Sequence, residues 1–259
     1  MRPFPRKAHV VSKSGLKVLD VLQVIGVSPK PLGLSEIVAA LDLDKTTASR
    51  MLGTLTKRGF INRHPVSKKY LIGAEFLAVS SAVTSRSELL RITGPTLSNL
   101  CELTGETVSF HVRMGRKIVR LNTMERFPPD LERQNLGASV PMFAGTAGTV
   151  VMAFLPPEAL NEVIADAVTA GLDESRIMTQ CSFVRSNGYL TAVSELKPDM
   201  GAVAAPLFSN GKVVGSISIV GPLERMSEAR RREIGLLLKD RAEELSVTGS
   251  FAEAYTYQD

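Results

Sequence analysis

Residues 44–63 of the chain read DKTTASRMLGTLTKRGFINR. Ala48, Met51, Leu52 and Leu55 fall at i, i+3, i+4 and i+7, the spacing that gives a helix one apolar stripe. Asp44 stands just before that stripe, where a carboxylate accepts the free amides of a first helical turn and suits the positive end of the helix dipole. The opposite face collects Lys45, Thr46, Thr47, Ser49, Arg50, Thr54 and Lys57, and Gly59 stops the helix. Beyond it, FINRH and KKYLI read as two short strands joined by PVSK, a β-hairpin with basic residues at and near its tip.

Working back toward the start, LKVLDVLQVI (16–25) carries a second helical rhythm, and Pro29, Pro31 and Gly33 then enforce a loop. SEIVAALD fits a short helix with Ser35 as its N-cap, ending near Asp42. Three short helices followed by a basic hairpin are the element order of a winged helix-turn-helix, whose recognition helix enters the DNA major groove by its N-terminal part. In that reading Lys45, Thr46, Thr47, Ser49 and Arg50 meet the groove, and an arginine reaches O6 and N7 of guanine with two hydrogen bonds. Arg63, Lys68 and Lys69 in the wing meet backbone or minor groove. The competing reading makes the same residues the wet side of an amphipathic helix. Charge distribution favours the first: residues 1–73 hold 13 Lys and Arg against 4 Asp and Glu, whereas residues 74–259 hold 18 against 22. A basic segment joined to a mildly acidic remainder points to a polyanion partner for the first part only.

With 259 residues, 44% of them hydrophobic and 22% charged, the chain is expected to form two globular domains. The sequence has neither a membrane-length apolar run nor the apolar core of a signal peptide, and a cytoplasmic location is expected. Cys101 and Cys181 belong to no ligand-spaced cluster, and His9, His64 and His111 are scattered, so no metal or cofactor is expected.

In the acidic segment, GAEFLAVSSAVTSRSELLR (73–91) reads as a linker helix interrupted around Thr84 to Ser87 and closed by Gly94-Pro95. A separate helix over TLSNLCELTG should follow, ended by Gly105, with Cys101 a packing residue. ETVSFHVRM and KIVRLNTM read as strands hinged at Gly115, with the role of His111 left open. GAVAAPLF and KVVGSISIVG flank SNG, and Asn-Gly between strand-like runs is a strong hairpin signal. The tail SEARRREIGLLLKDRAEELS predicts a long helix capped by Ser227, with Ile234, Leu237, Leu238, Ala242 and Leu245 inward and its arginines solvated. The run AGTAGTVVMAF lacks the Gly-Lys-Ser/Thr ending of a phosphate loop. No catalytic constellation is evident; Glu102, Glu106 and Glu195 are carboxylates that nothing in the sequence pairs. An enzyme is therefore not expected, and an architectural protein binding DNA through charge alone leaves the large second part unexplained.

The run LGLSEIVAALDLDKTTASRMLGTLTKRGFINR, with KKYLIG after it, resembles the N-terminal domain of the IclR family of bacterial transcriptional regulators. LCELTGETVSF, AGTAGTVVMAFLPPEAL and NGYLTAVSELKPDMGAVAAPLFSNGKVVGSISIVGP resemble its effector-binding domain. The resemblance implies an α+β chain: a winged helix-turn-helix (1–72), a linker helix with dimer contacts (73–92) and a GAF/profilin-like effector-binding domain with an antiparallel sheet (93–259). It also implies a regulator of a catabolic operon, a dimer or dimer of dimers on a pseudo-palindromic double-stranded promoter site, with no membrane partner. Carried over, the effector pocket is framed by Met142, Phe143, Ala147, Gly148, Ala192, Ala202, Ser218 and Val220. The sequence departs from the family where relatives that bind small acids carry polar groups: Ala192, Ala202 and Val220 are apolar, Phe143 replaces a histidine, Thr149 a lysine and Asp199 a glycine. These changes predict an apolar or aromatic small organic effector, touched by Ser218 and the amides of Ala147 and Gly148. The alternative is a vestigial pocket filled by its own side chains, with constitutive action or action through protein partners.

Overall fold

The computed structural model describes residues 12–125, 136–193 and 199–248. Contacts divide the chain into two compact units that meet between Ser87 and Glu88.

The first unit packs α1 (Lys13–Val27), α2 (Leu34–Leu41) and α3 (Lys45–Lys57), followed by a hairpin of β1 (Ile61–Arg63) and β2 (Tyr70–Ile72) and by α4 (Ala74–Arg86). Its core is Val21 and Ile25 of α1, Ile37 of α2, Ala48, Leu52 and Leu55 of α3, and Ile61 and Tyr70 of the hairpin. The Asp44 side chain accepts the Thr47 amide at 2.7 Å and starts α3. The cap of α2 differs from the sequence expectation. Gly33 holds the N-cap position and Ser35 lies inside the helix, while the Glu36 carboxylate reaches back to the Gly33 amide at 2.6 Å. Glycine wins here because its amide is free to be capped by the carboxylate three positions on, half of a capping box.

The second unit begins with α5 (Glu88–Thr104), and Gly94-Pro95 lies within it rather than ending a helix before it. Proline there forfeits one backbone hydrogen bond, and burial of Leu89, Leu97, Leu100 and Cys101 along the same helix outweighs that loss. Strands β3 (Thr107–Met114), β4 (Lys117–Met124), β5 (Ser139–Pro141), β6 (Leu190–Val193), β7 (Met200–Ser209) and β8 (Lys212–Pro222) form one antiparallel sheet in the order β5-β4-β3-β8-β7-β6. Asn210 and Gly211, with φ of 50° and 74°, make the two-residue turn between β7 and β8. Pro206 is tolerated in β7 because β6 pairs only as far as Ala204, so no partner needs the missing amide.

Helices cover both faces of this sheet. On one face α5 and α9 (Glu228–Thr248) pack against Val108, Phe110 and Val112 of β3, Val203, Ala205 and Leu207 of β7, and Ile217 and Ile219 of β8. On the other, α6 (Thr146–Met152), α7 (Pro157–Thr169) and α8 (Glu174–Asn187) enclose Ile118, Leu190 and Ala204. In α9 the Ser227 hydroxyl caps the Arg230 amide, and Ile234, Leu238, Ala242 and Leu245 are buried as the pattern predicts. The arginines are not uniformly solvated: Arg231 turns inward and donates to the Met226 carbonyl at 2.6 Å.

Candidate functional site

Two surfaces gather the residues singled out by sequence. On α3, Ala48, Leu52 and Leu55 are buried and Met51 packs beside them, which leaves Lys45, Thr46, Ser49, Arg50, Thr54 and Lys57 exposed and Thr47 half-buried. The Thr54 hydroxyl donates to the Arg50 carbonyl, whereas the Lys45 and Arg50 side chains project from the first half of the helix without a printed restraint on their reach. In the wing the basic residues differ in freedom. Lys68, with φ of 58°, is exposed at the turn, where His64 Nδ1 accepts the Val66 and Ser67 amides and fixes the backbone. The Arg63 guanidinium lies 5.5 Å from the Tyr70 ring centroid and donates through Nε to the Lys68 carbonyl. Lys69 sits 3.4 Å from the Glu36 carboxylate that caps α2, tying wing to helix and holding that carboxylate below its ordinary range together with the Gly33 amide.

In the second unit, strand register places residues in rows on the sheet face turned away from α5 and α9. Ala192 opposes Ala202, which opposes Val220, which opposes Thr107. The next row runs Leu190, Ala204, Ser218, Ser109 and Thr123, and the one after it Pro206, Ser216, His111 and Arg120. Four of the eight expected pocket residues, Ala192, Ala202, Ser218 and Val220, thus share one patch. The loop after β5 reaches over this face: the Ser216 hydroxyl donates to the Ala147 carbonyl at 2.8 Å, and the Met142 amide donates to Arg116. Met142 itself is fully buried in the core of the α6–α8 layer, and Phe143 packs against that core. Gly148 donates its amide to the Gly145 carbonyl, so this amide is already engaged within the loop.

The sequence expectation of a floor almost without polar groups is corrected here. Ser109, His111, Ser216 and Ser218 are buried on that face, with Thr123 3.2 Å from Ser109 and Arg120 beside His111. A signal was present: Thr107, Ser109, His111 and Arg113 alternate with Val108, Phe110 and Val112, so β3 is apolar toward one helix layer and polar toward the other. Burial, reinforced by the charge of Arg120, holds the His111 ring down to about 3, so it is neutral at physiological pH.

Residues that sequence offered as acid–base groups are committed elsewhere. Glu106 is buried and takes both hydrogen bonds of the Arg225 fork at 2.7 Å. Glu102 is exposed on α5, and Glu195 lies outside the described residues. Cys101 and Cys181 are buried, and burial raises the Cys181 thiol. Among the described residues no cluster of His, Cys, Asp and Glu has the makings of a metal site, and no helix is long and apolar enough to cross a membrane.

A three-helix winged head with its polar helix face outward, followed by an antiparallel sheet layered with helices, defines a two-part DNA-binding regulator with an effector-binding domain. Residues 16–65 match the IclR helix-turn-helix domain and residues 81–247 the C-terminal domain of bacterial IclR transcriptional regulators, and the chain belongs to that family. It is 27% identical over 242 residues to the HTH-type transcriptional regulator KipR of Bacillus subtilis, covering 91% of this chain and 96% of that one. The fold is shared with an IclR regulator of Alicyclobacillus acidocaldarius (TM-score 0.81, 21% identity, 92% and 98% covered). It is shared also with an IclR homolog of Microbacterium hydrocarbonoxydans complexed with 4-hydroxybenzoate (TM-score 0.73, 19% identity, 92% and 100% covered).

Proposed function

We propose that α3 is the recognition helix and that Lys45, Thr46, Thr47, Ser49 and Arg50 meet the major groove, with Thr54 and Lys57 nearer the backbone and Arg63, Lys68 and Lys69 in the wing. The observation that supports this most is the division of α3 into a buried apolar stripe and an exposed hydroxyl-rich, basic face beginning at an Asp44-capped N-terminus. Arg50 reads a base and Lys68 contacts phosphate. Arg50→Ala then costs about 1–3 kcal/mol on the specific site and less on random DNA, whereas Lys68→Ala weakens both alike. Titration of labelled specific and random duplexes at fixed salt checks this; an equal loss on both for Arg50→Ala refutes base reading.

The working form is a homodimer or a dimer of dimers on a pseudo-palindromic promoter site, its half-sites about 34 Å or a multiple apart. Support comes from α4, whose Phe76, Leu77, Val79 and Val83 are 41–61% exposed, an apolar stripe suited to a second copy of the chain. A small organic effector binds on the sheet face formed by Ala192, Ala202, Ser218 and Val220, under the loop that carries Phe143, Ala147 and Gly148. That 4-hydroxybenzoate occupies a structural relative supports an aromatic body for the ligand. Effector and operator are coupled through a change in each other's affinity. We read the chain as cytoplasmic and non-catalytic, since Glu106 is held by Arg225 and the cysteines are buried.

A further inference from the structure

The pocket floor holds two groups that the fold leaves unsatisfied. His111 is 4% exposed and its Nδ1 has no hydrogen-bond partner; the Nε of Arg120, its neighbour in register, is buried and equally without one. Among the described residues no carboxylate forms an ion pair with Arg120. Exposed Glu125 acts on it only through space, and burial pulls the guanidinium below its ordinary range. Buried charge is treated differently elsewhere in the same unit, where the Glu106 carboxylate is met by both nitrogens of an arginine fork. A partly buried cation without a counter-charge destabilises the free protein, because its lost hydration is not replaced. The missing partner is an anion, and Arg120 opens onto the same floor as Ser109, Ser218, Ala202 and Val220.

We propose that Arg120 is the anion-recognising residue of the effector pocket and that the effector is an organic acid. Its carboxylate pairs with the guanidinium, its polar substituents meet His111 and Ser218, and its apolar body lies against Ala202 and Val220. A planar guanidinium fork matches a carboxylate in two parallel hydrogen bonds. The neutral His111 ring adds a hydrogen-bonding group without a second positive charge. This inference rests on the pocket reading above and replaces an effector recognised mainly by apolar contact with an acid selected by charge.

Calorimetric titration of the full chain with benzoate, 4-hydroxybenzoate and hexanoate, each paired with its primary amide, tests it. At least one acid is expected to bind at least tenfold more tightly than its amide. Arg120→Gln is expected to lose that tenfold preference, while Arg116→Gln, whose guanidinium is paired outside with Glu162 and Asp166, keeps it. Without ligand, Arg120→Gln is expected to melt at or above the wild-type temperature, since it removes an uncompensated cation; a purely structural arginine would give a lower value. Equal binding of acid and amide, full acid affinity in Arg120→Gln, or a lower melting temperature for that variant each overturns the inference. If Ala202→Phe still blocks both members of an equally binding pair, the pocket stands and only the acid assignment falls. Binding of none of the acids removes both.

Discussion

Gly148 shows how one residue sets the loop that roofs the pocket. A Cβ at this position would lie 1.8 Å from the Met142 carbonyl oxygen, so the loop after β5 can lie against α6 only with glycine here. Gly148→Ala is expected to lower stability by about 3 kcal/mol, since backbone rather than a flexible side chain must move. Denaturant unfolding measures this, and a loss below about 0.5 kcal/mol would contradict it. The sequence made the glycine-rich run visible as a loop leading into a helix, but the reason for glycine is a contact with Met142 that exists only once the chain has turned. Arg120 was hidden for a related reason. Its place beside His111 depends on the register shift between Phe110 and His111, and a bulge of one residue is not written in a strand's alternation.

At the level of elements, α3 was legible because stripe, cap and stop signal agree, and its buried set is the one the spacing predicts. Hydrogen bonds from Thr47 hold the Asp44 carboxylate below its ordinary value. Its folded pKa therefore lies under its unfolded one. The contribution of this cap to stability is present above about pH 3.8 and is lost as pH falls through the lower folded value. Asp44→Ala should lower the melting temperature of the first unit at pH 7 and reduce its further decline on acidification, whereas Asp44→Asn should keep most of the cap at pH 7. Melting curves for the three proteins from pH 7 to pH 3 decide this; identical curves for wild type and Asp44→Ala would rule the cap out. Two other helices were harder to read. In α2 the capping group comes from Glu36 inside the helix, and in α5 packing on the sheet carries the helix through Pro95, where local preference alone argues for an end.

For the molecule as a whole, the division of charge was the plainest signal, because it depends on composition rather than on contacts. A basic first part and an acidic second part separate polyanion binding from sensing before any fold is known. The pocket was only half legible: Ala192, Ala202, Ser218 and Val220 were assembled from the resemblance, but its polar floor required the pairing of β3 with β4 and β8. The central claim is that the winged head reads sequence. Selection of binding sites from a randomised duplex pool by the full chain at fixed salt tests this most directly. The account predicts enrichment of a pseudo-palindrome with half-sites about 34 Å or a multiple apart, lost or blurred in Arg50→Ala. Retention that follows salt alone, with no enriched motif, would contradict it.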